Sequence, residues 1–434
     1  MAETQPVRGF RDLLPPDSSR TSAFEAAARE TLVLYGFSEV RLPTLENREL
    51  FVKSTGETTD IVEKEMFALE DAGGRSLALR PEGTPGAVRA YLDKNLRQQG
   101  GSAKLFYVAS MFRAERPQKG RYREFEQVGV ETFGNPHPAA DVEAILALSA
   151  VFRRVGLEGR VTLKLNNLGC QTQPECRPRY RQALLDFLRS QESTLCETCR
   201  RRLDRNPLRV LDCKGDGPRL KPLLPPFEPC TACREHVDTV STLLAVNGLE
   251  HVRDPQLVRG LDYYTRTVFE FAAEGVGSQD AVAGGGRYDG LVTQMGGPDT
   301  PAVGWALGVE RTLMAVEAAD PDWKSLPAAA AGCDAYVAVQ SRDARAAAEG
   351  TRALESLRRF GLRAGGGLFA SSLKAQLKEA GRQGARLAVI IGDAELAKDP
   401  PACVLRDMAG ASQREVPLSA LVDTASEALL GAPR

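Results

Sequence analysis

Residues 104–133, KLFYVASMFRAERPQKGRYREFEQVGVETF, constrain the fold more than any other stretch, because two alternating arms flank one short cationic loop. On the outgoing arm Leu105, Tyr107, Ala109 and Met111 alternate with Phe106, Val108, Ser110 and Phe112, and Arg113 ends the run. On the returning arm, period-two geometry puts Phe125, Gln127, Gly129, Glu131 and Phe133 on one face and Glu124, Glu126, Val128 and Val130 on the other. The loop carries Arg116, Lys119, Arg121 and Arg123, with Pro117 and Gly120 as turn residues. The pattern predicts a hairpin whose tip faces polyanions. An arginine, a ring, an amide and a carboxylate gather on that sheet surface. Together they suit a nucleotide, with the ring stacked on the base and the arginine forked onto a phosphate, while the acid takes a cationic second substrate. Taken alone, the same residues also read as a solvated charged hairpin.

Other strings narrow the choice. FRAERPQKGRYREFEQ (112–127) resembles motif 2 of class II aminoacyl-tRNA synthetases, VGWALGVER (303–311) resembles motif 3, and GFSEVRLPTLE (36–46), broken by Pro43, resembles motif 1. RGLDYYTRTVFE (259–270) and AGGGRYDGL (283–291) are similar to the signatures that set histidyl-tRNA synthetases apart within that class. The resemblance runs from VRGFRDLLP near the N-terminus to GARLAVIIGDAEL near the C-terminus. It implies ATP-dependent ligation of L-histidine to tRNA(His) through a histidyl-adenylate, with Mg²⁺ accompanying ATP. It also implies a homodimer, because motif 1 resembles a dimer-interface element.

Amino-acid activation gives a check on chemical grounds. A carboxylate attacks the α-phosphorus of ATP, so no protein nucleophile is needed and catalysis is positioning plus charge neutralisation. By resemblance, Arg113 holds the α-phosphate and the substrate carboxylate, Arg259 takes a catalytic place beside the α-phosphate, and Arg311 holds the γ-phosphate. Phe125 would stack on adenine, with Arg121 and Glu115 also at the ATP. Histidine would meet Glu82 and Thr84 of RPEGT through its amino group and Glu131 and Tyr264 through its ring, with Gln127, Tyr263, Tyr288, Gly284, Arg113 and Arg259 completing the pocket. Such a hydrogen-bonding pocket rejects apolar competitors without editing, because its polar groups would be left unpaired. Arg116 and Gln118 of the motif-2 loop would touch the tRNA acceptor end. The run Gly284-Gly285-Gly286 reads either as a plain turn or as backbone placed close to a ligand.

At 434 residues, with 43% hydrophobic and 26% charged side chains, the chain has room for two to four globular domains. No run of eighteen apolar residues occurs and the first residues contain no signal-type apolar stretch, so the expectation is a cytoplasmic protein off the membrane. Net charge is −1, so nucleic-acid binding must come from local patches such as 116–123 and 200–202. The expected fold is an α+β catalytic domain with a mixed, mainly antiparallel sheet, plus an inserted small domain and a C-terminal α/β domain. The boundaries are 1–169 and 256–325 for the catalytic core, 170–255 for the insertion, and 332–434 for the C-terminal domain, which resembles the anticodon-binding domain of class IIa synthetases. A first helix is expected over 17–35, capped by Asp17 or Ser18 and stopped at Gly36.

Cysteine spacing raises a separate question. Cys196-x-x-Cys199 and Cys230-x-x-Cys233 resemble the two knuckles of a zinc ribbon, each giving two thiolates to one structural Zn²⁺. Free thiols and disulfides stay open as readings, Cys176 and Cys213 lie nearby, and His236 in CREHV is a further candidate ligand. The histidines His137, His236 and His251 stand in no triad-like context that would make a cysteine catalytic. The competing functional reading is a non-catalytic, histidine-sensing regulatory subunit of ATP phosphoribosyltransferase, which shares the fold. The presence of Arg113, Arg259 and Arg311 and of a C-terminal domain speaks against it.

Overall fold

The two alternating arms form long strands, Ala103–Phe112 and Glu124–Phe133, paired antiparallel from Ala103 opposite Phe133 to Phe112 opposite Glu124. The structure, a computed structural model, describes residues 5–56, 59–100, 102–204, 206–211, 213, 215–258, 260–276, 280–326, 333–341, 343–366, 371–410 and 412–430. These fall into two units, Met1–Pro327 and Ala328–Arg434.

In the first unit the strands, in chain order, are β1 (Ser38–Glu39), β2 (Leu45–Asn47), β3 (Ala68–Glu70), β4 (Ser76–Leu79), β5 (Ala103–Phe112), β6 (Glu124–Phe133), β7 (Val161–Asn167), β8 (Val252–Arg253), β9 (Thr265–Ala273), β10 (Ala281–Arg287) and β11 (Ala302–Gly308). Eight of them form one sheet in the order β1-β5-β6-β11-β10-β9-β7-β8, antiparallel except for the parallel edge pairs β1/β5 and β7/β8. The expected mixed, mainly antiparallel sheet is what forms. β2, β4 and β3 make a small antiparallel sheet beside it.

Alternation sorts the two faces. Phe106, Val128, Val130, Phe269 and Trp305 join a core with the helices Asp17–Leu34, Pro138–Arg154, Thr231–Val246 and Val309–Ala319. Tyr107, Phe133 and Val268 of the same strands, with Tyr288 just after β10, join a second cluster against helix Thr84–Asp93. The first helix buries Phe24, Ala28, Thr31 and Leu32, the spacing of a single helical stripe. Its N-cap is Pro16, with no side-chain cap bond, so neither Asp17 nor Ser18 caps it. Asp17 instead begins the helix, a favourable place for an acid beside the helix dipole.

The stretch 170–255 divides. Helices Arg177–Ser190, Glu197–Arg202 and Asp216–Leu220 enclose a small core of Leu184, Leu188, Leu195, Val210 and Leu220. Helix Thr231–Val246 instead puts Val237, Val240 and Leu244 into the main core, and β8 extends the main sheet. The apolar face of that helix therefore ties it to the sheet, although the boundary drawn at 255 would place it in the insertion.

The second unit is a five-stranded sheet of β12 (Ala335–Gln340), β13 (Ala364–Gly366), β14 (Leu387–Gly392), β15 (Ala402–Asp407) and β16 (Gln413–Pro417), ordered β13-β12-β14-β15-β16. Helices Ala344–Arg359, Leu373–Arg382 and Leu421–Leu430 accompany it, giving an α/β unit.

Candidate functional site

The site is built on the face of the sheet opposite the main helical core. Across the strands, Glu131 lies opposite Gly304, which lies opposite Gly286; Tyr107 lies opposite Gly129, then Ala306, then Gly284. The floor is thus nearly free of side chains, and space explains why. A Cβ at Gly304 would come within 2.0 Å of Glu131 Oε2, and one at Gly129 within 2.3 Å of the Tyr107 ring. Gly83 serves the same ring from the other side, at 2.2 Å. The glycine run that reads either as a turn or as a close approach is the interior of strand β10, paired on both sides. Glycine normally weakens a strand. Here a Cβ at Gly285 would lie 2.1 Å from the Gly304 carbonyl oxygen, and one at Gly286 would lie 2.5 Å from that of Thr267.

On this same face lie two carboxyls. Glu131 is fully buried; it accepts a hydrogen bond from Thr84 Oγ1 at 2.6 Å and another from the Tyr288 hydroxyl. Burial pushes its pKa up to about 8, more than the two hydroxyl donors pull it down, and Glu82 nearby adds to the rise. Glu82 accepts from Thr55 Oγ1 at 3.2 Å and the Tyr263 hydroxyl at 3.1 Å. Burial raises its pKa too, against the pull of Arg113. The Tyr263 ring packs on Tyr264 and edge-on to Tyr288.

Above lies a cleft of about 710 Å³, in the usual size range for a ligand site. Arg113, Glu115, Arg121, Phe125, Gln127, Gly284 and Arg311 line it, together with Glu65, Glu270 and Asp280. The Arg113 guanidinium stands 5.2 Å over the Phe125 ring while its Nε donates to the Pro81 carbonyl at 2.9 Å. That backbone bond fixes the cation at the strand end. Arg121 meets Glu115 at 3.3 Å. The pKa of Arg311 is lowered by burial first and then by the neighbouring Arg121, so the cleft wall favours an added negative charge.

Of the residues expected at a site, Glu82, Thr84, Glu131, Tyr263, Tyr264 and Tyr288 are gathered in the buried layer and are not among those lining the cleft. Arg113, Glu115, Arg121, Phe125, Gln127, Gly284 and Arg311 line the cleft itself. Arg116 and Gln118 are exposed on the loop, where Gln118 pairs with Arg121 through the backbone. Arg259 lies outside the described residues. Sequence reasoning missed Thr55 and the role of Tyr107, and it missed Arg287, a fully buried cation. Arg287 bonds the buried Asp141 through Nε and Nη2 and Asp289 at 3.1 Å. The pair pins strand β10 to helix Pro138–Arg154 and supplies no charge to the cleft. Burial opposes ionisation of Asp141, but His236 and Arg287 outweigh it and hold its pKa below the usual value.

The cysteine expectation needs correction. The two CxxC pairs do not meet: Cys230 and Cys233 cluster with Cys170 and Cys176, whereas Cys196 and Cys199 cluster with Cys213 and Asp216. The pairs belong to different packing groups, one at the base of the insertion and one in its small core. His236 is in neither cluster; its Nε2 faces Asp141 Oδ2 at 3.4 Å.

Comparison with known proteins bears on this geometry. The family model described as histidyl-tRNA synthetase matches residues 9–312, and that of an anticodon binding domain matches 334–428. A histidine–tRNA ligase of Elusimicrobium minutum is 50% identical over 413 residues, covering 95% of this chain and 96% of the relative. One from Maridesulfovibrio salexigens is 46% identical, covering 96% and 98%. Among solved structures, the apo histidyl-tRNA synthetase of S. aureus is similar with a TM-score of 0.78 at 29% identity, covering 97% of this chain and 99% of that one.

Proposed function

We infer from its sequence relatives that this chain, which belongs to the histidyl-tRNA synthetase family, is a histidine–tRNA ligase, and from its cleft how the reaction is arranged. The observation that carries the arrangement is the polarity along β6: Phe125 and Gln127 lie in the cleft with Arg113, Arg121 and Arg311, while Glu131 lies buried with Glu82. An α-amino acid with a basic ring fits that gradient in one sense only, with its cationic parts toward the acids and its carboxylate toward the arginines.

In this reading Glu82 and Thr84 take the α-ammonium group, and Glu131 exchanges the Tyr288 hydroxyl for a ring N–H, with Tyr263, Tyr264, Gln127 and Gly284 around it. Arg113 and Arg259 hold the carboxylate against the α-phosphate. Phe125 stacks on adenine, and Arg121 and Arg311 neutralise the β- and γ-phosphates. The carboxylate oxygen forms a bond to the α-phosphorus as the bond to the pyrophosphate oxygen breaks. The 3′-terminal ribose hydroxyl of tRNA(His) then attacks the acyl carbon, losing its proton as AMP leaves. The protein contributes placement and charge neutralisation. Mg²⁺ bound with ATP would neutralise phosphate charge, and the carboxylates of Glu115 and Glu270 in the cleft are oxygen donors of the kind that ion takes.

Arg116 and Gln118, exposed on the loop, meet the acceptor end, and the C-terminal unit reads the anticodon. The catalytic core is 1–169 with 256–325, joined by helix Thr231–Val246 and β8 from the preceding stretch, and the motif-1 region forms a homodimer in the cytoplasm. No helix among the described residues is long and apolar enough to cross a membrane. The regulatory-subunit reading gains no support from the relatives named above. ATP–pyrophosphate exchange with each of the twenty amino acids, without tRNA, tests the proposal. Exchange with histidine alone is expected; histidine binding without exchange would mean a sensor and would refute the arginine roles.

A further inference from the structure

Seven of the nine cysteines lie between residues 170 and 233, and all seven fall into the two clusters. In the first, Cys170, Cys176, Cys230 and Cys233 place four sulfurs within 4.8 Å of one another, with Cys170 and Cys230 at 3.8 Å. In the second, Cys196, Cys199, Cys213 and an oxygen of Asp216 do the same, with Cys196 and Cys213 at 3.9 Å. A disulfide requires about 2.05 Å between sulfurs. Four thiolates held tetrahedrally at about 2.3 Å from a Zn²⁺ ion are spaced by about 3.8 Å, close to the Cys170–Cys230 and Cys196–Cys213 distances.

The backbone around the first cluster is shaped for thiolates. Cys176 Sγ accepts N–H bonds from Cys170 and Cys230, each at 3.4 Å. Cys176 and Cys230 occupy the N-cap positions of helices Arg177–Ser190 and Thr231–Val246, where the helix dipole favours negative charge. Gly169, at φ +68°, could not carry a side chain, since a Cβ would lie 2.7 Å from Cys176 Sγ. In the second cluster the Asp216 N–H reaches Cys213 Sγ at 3.5 Å, while Asp216 Oδ2 accepts from the Cys196 N–H at 2.9 Å. The first cluster joins the strand leaving β7 to the helix re-entering the main core, so it closes the base of the insertion. The second crosses its interior, whose apolar core is small. Segments this small gain folding free energy directly from a bound ion.

We propose that the insertion holds two structural zinc ions, one on Cys170, Cys176, Cys230 and Cys233 and one on Cys196, Cys199, Cys213 and Asp216. This goes beyond the ligase reading and stands or falls apart from it, because metal content is measured without catalysis. The full chain, purified without chelators, should contain two zinc ions by mass-spectrometric elemental analysis. Cys176→Ser and Cys199→Ser should each lose one of them. Growth with cobalt should give the intense thiolate-to-cobalt charge-transfer band of sulfur-rich tetrahedral sites, which reports the ligand set in unmutated protein even where a variant fails to fold. If seven thiols react freely with a thiol reagent in the native protein and zinc stays at trace level, the proposal is overturned. Iron in place of zinc would overturn the metal assignment, and a single zinc untouched by Cys199→Ser would overturn the second site.

Discussion

Replacing Glu131 by Gln isolates the energetic effect of a buried carboxyl. Glu131 is fully buried, and its pKa is pushed from 4.5 up to about 8, chiefly by burial. Because the folded value lies above the unfolded one, the folded chain keeps a proton that the unfolded chain releases between those two pH values. Stability from this group is therefore fully present below pH 4.5, declines through neutrality and is gone above about 8. At about 1.4 kcal/mol per pKa unit, the span amounts to roughly 4–5 kcal/mol. Gln has nearly the same shape and an oxygen for Thr84 or Tyr288, but it has no proton to lose. Any hydrogen-bond deficit it introduces, about 1 kcal/mol, does not depend on pH. The difference in unfolding free energy between variant and wild type should therefore move by several kcal/mol in favour of Gln as pH rises from 5 to 9. Buried acids remote from Glu131 titrate identically in both proteins and cancel, whereas Glu82, which adds to the rise of Glu131, loses that like-charge neighbour in the variant, a change that also favours Gln at high pH. Urea unfolding followed by tryptophan fluorescence suits the measurement, since Trp305 and Trp323 both belong to the first unit. Parallel stability curves across that range would refute the account of Glu131 as a carboxyl that burial keeps neutral.

Three further perturbations probe separate parts of the site. Gly304→Ala places a Cβ 2.0 Å from Glu131 Oε2 and 2.4 Å from the Val130 carbonyl, so we expect a stability loss of roughly 1–3 kcal/mol and at least a tenfold rise in the histidine KM; a variant with wild-type melting and wild-type KM would contradict the crowded floor. Asp141→Asn leaves the fully buried Arg287 without its main counter-charge and should cost about 3–5 kcal/mol in denaturant titration, whereas a loss under 1 kcal/mol would show the pair to be dispensable. Arg311→Ala should lower the exchange rate by roughly 10²–10³ and raise the ATP KM with little change for histidine, and an equal effect on both substrates would remove Arg311 from the phosphate site.

Much of this architecture could be read from residue pattern alone, and particular residues show where reading stopped. The faces of β6 follow from alternation, so the sharing of a surface by Phe125, Gln127 and Glu131 was legible. The partner of each residue across the hairpin was not. Extended to the tip, the register that pairs Phe112 with Glu124 would turn on Gln118 itself, whereas Gln118 pairs with Arg121. The loop thus absorbs extra residues, and the fit of Tyr107 over Gly129 could not be placed by counting from the turn. Arg287 went unnoticed because its burial depends on Asp141, distant in sequence and brought close only by helix packing. The cysteines failed for the same reason. Spacing joins neighbours in sequence, but the insertion folds so that each CxxC pair finds its partners elsewhere, at Cys170 and Cys176 or at Cys213 and Asp216.

The charge order of the site bears on how its ligands assemble. Glu82 raises the affinity of Glu131 for its proton, while Arg311 is burdened by Arg121. Like charges are costly at each end, a cost the acid end avoids while Glu131 keeps its proton, and Arg113 stands between them, lowering the pKa of Glu82 while its ring stacking with Phe125 and its bond to Pro81 hold it still. An amino acid's ammonium relieves the first end and a triphosphate relieves the second. In the proposed reaction the substrate carboxylate and the α-phosphate are both anions drawn to the same fixed guanidinium, so two mutually repelling groups would be brought together at one cation. Their encounter is the reaction to be promoted. The cation that holds them must keep its position as charge develops, which a donor anchored to backbone at 2.9 Å does better than a solvated lysine on a flexible stem. By this argument Arg113→Lys, which preserves charge and loses the fork and the stack, should behave like a catalytic lesion: both substrates still bind, and the rate of adenylate formation falls.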